Sequence, residues 1–509
     1  MVSTCIILHK IVTLQTEKYY TMQDDKNLSE ITIEDQKIID NKELSIWEAL
    51  IPVILLMGLL AYNIFYADGA WLGDYSNQYI LLMGGFIAAI VGFLNKVSIK
   101  TMFSEVLENW KSVFVPIMIL FLVGALAGTW LVSGIIPAMV YYGLQVLSPA
   151  IFLPASVIIA AIISIATGSS WTTSATVGIA LVGIGSALGI PTGMIAGAVI
   201  SGAYFGDKMS PLSDTTNLAP AMAGTDLFTH IKYMAYTTVP TIVITLIVFS
   251  VLSATIDTTG SADISNLLTS IQNTFHISPI LFIVPTVVIA MILLKTKPLI
   301  ALGTGVILAA IFALIFQGDV LDTLTESKFQ SVLNAILTDT QVQTDDEKLT
   351  ELFSSGGIIG MLWTILLIIC AMVFGGIMDA IGALAKLTKA LLTIASSVFG
   401  LFASTVISCL GLNIIASDQY LALVIPGKMF KKAYEDKGLA PENLSRTLED
   451  SGTVTSVLIP WNTCGAYQSG VLGVGVGEYA LYAMFNWMSP FMTLLFAAFR
   501  IKIREIAKK

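Results

Sequence analysis

Long apolar runs separated by short polar segments follow one another along the chain from residue 49 onwards. A helix needs about 20 mainly apolar residues to cross a bilayer, and most of these runs approach or reach that length. The runs are 49–66, 79–93, 112–133, 150–167, 232–252, 278–294, 298–316, 357–378, 390–410, 453–472 and 479–499. The pattern predicts an all-α polytopic membrane protein.

Two further apolar runs, 172–189 and 191–205, are rich in glycine, serine and threonine. They fit either short spans or re-entrant hairpins, because irregular backbone at membrane depth is tolerated only where protein or a water-filled cavity surrounds it. We therefore expect about 11–13 transmembrane helices, some of them broken, together with re-entrant hairpins.

The spans form two series in which helices, loops and polar zones follow one another in the same order. Residues 49–93 and residues 278–316 each predict two helices, and each pair is followed by a polar loop, two spans and a zone rich in polar residues. The charge bias makes the start of the first series cytoplasmic and the start of the second external, which is the signature of inverted repeats. The lysines between 428 and 437 conflict with this inversion, and the sequence leaves the conflict open.

This rhythm divides the chain into five predicted parts. A flexible cytoplasmic tail precedes the first transmembrane repeat, a loop connects that repeat to the second, and a basic cytoplasmic tail ends the chain. The predicted bounds are 1–47, 48–254, 255–277, 278–499 and 500–509.

Composition then narrows the class of protein. The chain of 509 residues is 55% hydrophobic and 12% charged, and its mean hydropathy of +0.82 excludes an ordinary soluble domain. Lysine and arginine concentrate in a few short loops and at the carboxyl end, so the positive-inside rule places both termini in the cytoplasm of a cell-membrane protein. The 4 cysteines and 3 histidines show no metal-binding spacing, so we expect no cofactor. Nothing in the sequence indicates nucleic-acid binding.

The segment 202–220 places charged residues inside this apolar sequence. Asp207 and Asp214 lie seven residues apart, and Gly206 and Pro211 predict that a helix breaks between them. Carboxylates at membrane depth are functional candidates, and they would give a hard cation such as sodium an all-oxygen shell. A cytoplasmic turn, in which Asp214 caps the next helix, explains the same residues, and both interpretations stay open.

Three other polar zones interrupt the apolar pattern. The hydroxyl-rich run 169–176 predicts the tip of a re-entrant hairpin, and the zones 411–418 and 460–465 predict matching breaks in the second half. Asp450 is interpreted as the end of a charged loop, although a place inside the membrane is the alternative.

At these motifs the chain resembles the NhaC-type sodium/proton antiporter family. The resemblance is carried by G-S-S-W-T-T-S-A-T-V-G-I-A at 168–180, A-L-G-I-P at 187–191, the run 196–220 and E-D-S-G-T-V-T-S-V-L-I-P-W-N-T-C-G-A-Y at 449–467. That family belongs to a wider ion-transporter superfamily, so the resemblance implies two inverted repeats with re-entrant hairpins and an elevator-like movement. Members close in sequence exchange malate for lactate, coupled to protons and sodium, which adds an alternative substrate class.

We therefore expect a secondary antiporter, not an enzyme, in which sodium and protons compete for intramembrane carboxylates. Asp207 and Asp214 are the predicted sodium ligands. The predicted supporting ligands are Thr172, Thr173, Thr215, Asn217, Asn413, Asp418, Asn462 and Thr463.

The rival classes are an organic-anion antiporter, a passive channel and an intramembrane aspartyl protease. All three arginines, Arg446, Arg500 and Arg504, fall in predicted loops or at the tail, which favours an inorganic cation over an organic anion. The expected partners are sodium ions, protons and the lipid bilayer, and a homodimer is left open.

Overall fold

The computed structural model of the protein describes Ile39, Asn41 and residues 43–67, 71–73, 75–255, 264–294 and 296–506. Most of the predicted tail 1–47 therefore lies outside the described residues, as do 256–263 of the predicted connecting loop and the last three residues of the basic tail.

Helices account for nearly all regular structure in the first half of the chain. Ser45 begins the first helix with a capping box, in which its hydroxyl oxygen accepts from the backbone of Glu48. The helices are α1 Ile46–Tyr66, α2 Ser76–Leu94, α3 Ile99–Ser112, α4 Phe114–Val132, α5 Ile135–Val146, α6 Pro149–Thr167, α7 Ser170–Thr173, α8 Ile179–Ala187, α9 Thr192–Met209, α10 Asp214–Ala223 and α11 Leu227–Thr255.

The second half is also helical. A pair of two-residue antiparallel strands, β1 Thr340–Gln341 and β2 Ser354–Ser355, lies between its helices. The helices are α12 Ile264–Thr274, α13 Ile283–Leu293, α14 Pro298–Phe316, α15 Gly318–Leu324, α16 Lys328–Leu337, α17 Glu347–Leu352, α18 Gly357–Ala380, α19 Ala383–Ile394, α20 Val398–Ile415, α21 Gln419–Asp436, α22 Pro441–Leu448, α23 Thr463–Leu472, α24 Val476–Tyr479 and α25 Met484–Ala498.

Among the described residues, 8 helices are long and apolar enough to cross a membrane, and a bent pair, 265–274 with 279–293, raises the number to 9. The prediction of an all-α polytopic membrane protein is confirmed. Several predicted crossings are divided into shorter helices, as at 453–472, where α23 begins only at Thr463. The predicted connecting loop 255–277 contains the helix α12.

The same order of elements occurs in both halves. The long helices α4 and α18 are each followed by a helix of 12 residues, α5 or α19, and then by another long helix. Gly134 and Gly382 precede the two 12-residue helices with φ angles of 77° and 73°, a backbone conformation that favours glycine. The recurrence matches the two predicted series, and the inverted relation between them remains a prediction.

Four breaks interrupt the helices that surround the most polar part of the interior. They separate α6 from α7, α9 from α10, α20 from α21, and a short 3-10 turn, Ser456–Leu458, from α23. Ser417 lies in the third break with a φ of 60°, which is an unfavourable conformation for a residue with a side chain. Two five-residue π-helical turns, Ser174–Gly178 and Glu449–Thr453, lie beside these breaks. We refer to them as the first and second π-turns.

Small residues bring α9 into close contact with α6. A Cβ atom at Gly202 would lie 2.2 Å from the carbonyl oxygen of Val157, and one at Gly206 would lie 2.5 Å from that of Ala161. Glycine is therefore required where the two backbones meet. This contact holds the carboxyl end of α9, which carries Asp207 and Lys208, inside the protein.

The close contact between α9 and α6 predicts that Gly202→Ala lowers the melting temperature of the purified protein in detergent. The added methyl group must push the two backbones apart, and overpacking of this kind costs about 1–3 kcal/mol. Gly303→Ala on α14 is the matched control, because nothing lies within 4 Å of its added Cβ atom. Equal melting temperatures for the two variants would contradict the packing argument.

Candidate functional site

Asp207 lies near the carboxyl end of α9 and is 7% exposed. Its Oδ2 atom accepts hydrogen bonds from the Ser170 backbone amide at 3.2 Å and from the Ser170 hydroxyl at 2.7 Å. Its Oδ1 atom is buried and has no hydrogen-bond partner among the described residues. One carboxylate oxygen is thus fixed by α7, and the other is left for a proton or a cation.

Glu449 supplies a second buried carboxylate from the other half of the chain. It is the first residue of the second π-turn and is fully buried. Its Oε1 atom accepts from the Thr215 hydroxyl at 3.1 Å, and its Oε2 atom has no hydrogen-bond partner in the part of the chain that the structure describes. The next residue, Thr216, donates to the Asp207 backbone carbonyl at 3.2 Å, so Glu449 and Asp207 lie in the same region of the interior.

The residues that follow these two carboxylates form a buried ion pair. Lys208 contacts Asp450, and both side chains are fully shielded from solvent. The Asp450 carboxylate also accepts hydrogen bonds from Thr237 on α11, at 2.8 Å, and from Thr493 on α25. The ion pair therefore connects α9 to the second π-turn, the two segments that carry Asp207 and Glu449. We call Asp207, Lys208, Glu449 and Asp450 the charged centre.

The π-turns contribute to this arrangement. A π-helical turn inserts an extra residue into a helix, and such turns are frequent at functional sites. All residues of the second π-turn are buried, as are four of the five residues of the first. The second π-turn thereby presents two consecutive acidic residues to the protein interior.

Asp214, the other predicted sodium ligand, has a different environment. It is the first residue of α10 and is exposed. Its carboxylate accepts from the Tyr420 hydroxyl and, at 2.9 Å, from the Thr215 amide. The structure thus places Asp207 and Asp214 in unlike surroundings, and a role for Asp214 in ion binding remains a prediction.

The predicted supporting ligands of the first half divide into two groups. Thr172, Thr173 and Thr215 are buried, and the Thr173 hydroxyl donates back to the Ser169 carbonyl at 2.9 Å. Asn217 is exposed, and its amide donates to the Pro211 and Ser213 carbonyls. Thr215 is the one of the four that contacts a residue of the charged centre directly.

Three of the four predicted ligands of the second half, Asn413, Asn462 and Thr463, form one hydrogen-bonded network. Asn413 donates to the Gly452 carbonyl at 2.7 Å, and Asn462 donates to the Asn413 carbonyl at 3.0 Å. The Thr463 amide donates to the Ser417 carbonyl at 2.9 Å. Asp418 caps α21, because its carboxylate accepts from the amides of Tyr420 and Leu421. The network joins the breaks before α21 and α23 to each other and holds the second π-turn.

Four charged residues lie deeper than the sequence predicted. A cytoplasmic turn was one of the two open interpretations for Lys208, and a charged loop was the interpretation for Arg446, Glu449 and Asp450, yet all four are fully buried. The interpretation of Asp450 as a loop residue is wrong, because its carboxylate is held between Lys208 and two threonines.

Arg446 requires a second correction. Its guanidinium lies 4.6 Å from the centre of the Tyr233 ring and 5.8 Å from that of Phe496. Its three side-chain nitrogens have no hydrogen-bond partner among the described residues. The argument that every arginine lies in a loop or at the tail is therefore wrong, and it no longer favours an inorganic cation over an organic anion.

No group of three or more histidine, cysteine or acidic side chains in the described ranges could hold a resident metal ion. The three described cysteines are free and buried. A sodium ion would be cargo rather than a cofactor, and neutral hydroxyl and carbonyl oxygens can complete its shell.

Comparison with known proteins identifies the family. Residues 202–501 match the Na+/H+ antiporter family. The chain belongs to this family. The matched region contains the whole charged centre, from Asp207 to Asp450.

Three similar proteins carry names that state a transport activity. The "Na(+)/H(+) antiporter NhaC" of Alkalihalophilus pseudofirmus is 38% identical, over 81% of this chain and 87% of its own length. The "Malate-2H(+)/Na(+)-lactate antiporter" of Bacillus subtilis is 35% identical, over 89% and 93%. The "Arginine/ornithine antiporter ArcD" of Halobacterium salinarum is 36% identical, over 74% and 77%. These relatives are antiporters, and the expectation of a transporter rather than an enzyme is confirmed.

The buried ion pair predicts that replacing Lys208 lowers the stability of the protein strongly, and that neutralising Asp450 as well restores part of it. Lys208→Met should destabilise the protein by about 3–5 kcal/mol, because it leaves the Asp450 charge buried without its partner. The double variant Lys208→Met/Asp450→Asn should recover part of this loss. Melting temperatures in detergent test both statements.

Lys432→Met is the control for these variants. Lys432 pairs with Asp436 at 3.2 Å on the surface, where the two side chains are 83% and 63% exposed. Such exposed pairs contribute about 0–1 kcal/mol. A double variant that is less stable than Lys208→Met would contradict the assignment of the pair.

Proposed function

We propose that this protein is a secondary active transporter that exchanges sodium ions for protons across the cell membrane. The observation that carries the proposal is the buried Asp207 carboxylate, which has one oxygen fixed by Ser170 and one oxygen without a partner in the described structure. Membership of the Na+/H+ antiporter family and the named function of the relative from Alkalihalophilus pseudofirmus support the choice of substrate.

The charge balance explains why the two ions would compete. The charged centre holds three carboxylates and one ammonium group, so its formal charge is 1 − 3 = −2 when all four groups are ionised. Charge that is not neutralised in the interior raises the free energy of the folded protein, because burial removes the hydration of the charged groups. A proton or a sodium ion at Asp207 lowers that cost, and occupancy by one disfavours the other.

Antiport then requires that the loaded centre face one side of the membrane at a time. The helix breaks around the centre are consistent with a transporter in which discontinuous helices hold the ion at mid-membrane. Protons entering from one side displace sodium, and sodium entering from the other side displaces protons. The proton gradient thereby drives sodium extrusion.

The finer predictions about the assembly belong to this proposal. We propose that both termini lie in the cytoplasm, on the basis of the lysine and arginine distribution, and that the two repeats span 48–254 and 278–499. A homodimer remains a prediction that cross-linking in membranes would test.

One observation favours a second candidate function. Arg446 is a buried cation with no hydrogen-bond partner among the described residues, and one relative is named as a malate/lactate antiporter. A guanidinium can bind a carboxylate through two parallel hydrogen bonds. A proton- and sodium-coupled exchange of organic anions is therefore the alternative.

The proposal predicts that Asp207→Asn abolishes sodium-driven proton movement in everted membrane vesicles, measured with a pH-sensitive dye. For the unaltered protein, the sodium concentration that gives half-maximal response should fall as the pH rises, because fewer protons compete for the carboxylate. Asp226→Asn is the control, since Asp226 is an exposed cap of α11 and asparagine can retain the cap. A wild-type response from Asp207→Asn would remove this residue from the mechanism.

The same vesicles separate the two candidate functions. Sodium chloride alone should produce the pH change, and added malate or lactate should not alter it. A pH change that appears only with malate or lactate, and that Arg446→Gln removes, would establish the organic-anion alternative instead.

A further inference from the structure

Asp207 and Glu449 are the described carboxylates that each keep one buried oxygen without a hydrogen-bond partner. Two such oxygens in the same region destabilise the folded protein unless a cation or protons lie between them, since each buried charge has lost its hydration. Two other buried carboxylates already have partners. Asp450 has Lys208 and two threonines, and Asp418 caps α21.

Hydroxyl groups at the start of α10 contact both acidic residues, Glu449 through its carboxylate and Asp207 through its backbone carbonyl. Thr215 donates to Glu449, and the Thr215 hydroxyl lies 3.2 Å from that of Ser213. Thr216, the next residue, donates to the backbone carbonyls of Asp207 and Lys208 at 3.2 and 3.1 Å. The start of α10 thus lies between the end of α9 and the second π-turn, and it brings neutral oxygens to the space between the two acids.

From this geometry we infer that the transported cation is bound jointly by Asp207 and Glu449, one carboxylate from each half of the chain. The ligand class is a small monovalent cation with a preference for oxygen ligands. The inference rests on the proposed function and adds a second acidic ligand to it. Glu449, rather than Asp214, is the second acidic ligand.

Glu449 and Asp214 differ in their exposure and in their hydrogen bonds. Asp214 is exposed and its carboxylate accepts from the Tyr420 hydroxyl and the Thr215 amide. Glu449 is fully buried, and its Oε2 atom has no hydrogen-bond partner among the described residues. A dehydrated cation gains more from the second environment, because water does not compete with the ligand there.

The charged and titratable groups around Glu449 come from four elements. They are Asp207 and Lys208 on α9, with Lys208 paired to Asp450. They also include Asp214 on α10, next to Thr215, and His230 on α11, whose ring lies 2.8 Å from the Ser445 hydroxyl. Arg446 and Asp450 belong to the segment that contains Glu449 itself. Lys208 is committed to Asp450, and Arg446 lies against the aromatic rings of Tyr233 and Phe496. Each of these cations therefore has neighbours other than the Glu449 carboxylate.

The test is sodium-driven proton movement in proteoliposomes that contain the full-length protein, measured over a range of sodium concentrations. Glu449→Gln keeps the size of the side chain and removes its charge. Its KM for sodium should rise by about tenfold or more, as expected for the loss of a charged ligand. Glu449→Asp should recover part of the affinity. Asp214→Asn should raise the KM by less than Glu449→Gln does.

Glu435→Gln is the matched control, because Glu435 is exposed on α21 and contributes no ligand. Melting temperature and gel filtration verify that each variant is folded. If Glu449→Gln fails to fold, Glu449→Asp decides the question, because its shorter side chain moves the carboxylate away from the cation and should still raise the KM for sodium above that of the wild type. Here a KM equal to that of the wild type would overturn the inference.

The outcomes also separate the inference from the proposed function. An unaltered protein that moves no protons in response to sodium would refute the proposed function. An active wild type whose KM for sodium is unchanged by Glu449→Gln, or is raised more by Asp214→Asn, would refute only the ligand assignment.

Discussion

The buried ion pair between Lys208 and Asp450 is the contact on which the rest of the site depends. Two charges without solvent are stable together only if each has a partner and the remaining hydrogen-bonding capacity is filled, as Thr237 and Thr493 do for Asp450. The pair fixes α9 against the second π-turn. Because Asp207 precedes Lys208 and Glu449 precedes Asp450, this one contact also positions the two carboxylates that lack a full set of partners.

Close helix packing buries these charged residues, and the helix breaks supply them with polar partners. The glycines of α9 allow its backbone to lie directly against α6, so that Asp207 can be buried at the helix end. The break before α7 leaves the Ser170 amide free to bind Asp207. The network of Asn413 and Asn462 holds the breaks of the second half and contacts Gly452 of the second π-turn. These polar contacts replace the water that an exposed carboxylate would have.

The sequence was sufficient to predict the membrane class and one member of the charged centre. Long apolar runs have few alternatives to transmembrane helices, and Asp207 stands out because it follows such a run. It was not sufficient for Lys208, Arg446, Glu449 and Asp450. The segment 441–453 is dense in charged and hydroxyl residues, a composition typical of an aqueous loop, and yet the structure buries it.

The reason for that failure is physical. A polar helix can be buried only where its partners lie elsewhere in the chain, and the partners of Glu449 and Asp450 are Thr215, Lys208, Thr237 and Thr493. Three of these four contacts span more than 200 residues of sequence, and no local pattern encodes them. The available signal was the similar spelling of L-S-D-T-T at 212–216 and L-E-D-S-G-T at 448–453, which indicated corresponding positions in the two halves.

Proton release on sodium binding is the most direct test of the central claim that sodium and protons exclude each other at buried carboxylates. The measurement uses the purified protein in weakly buffered detergent solution, where no transport takes place, and a pH-indicator dye. The account predicts that sodium chloride releases protons into solution, that an equal concentration of choline chloride does not, and that Asp207→Asn reduces the release. Sodium binding that is detected by calorimetry without any release of protons would contradict the account.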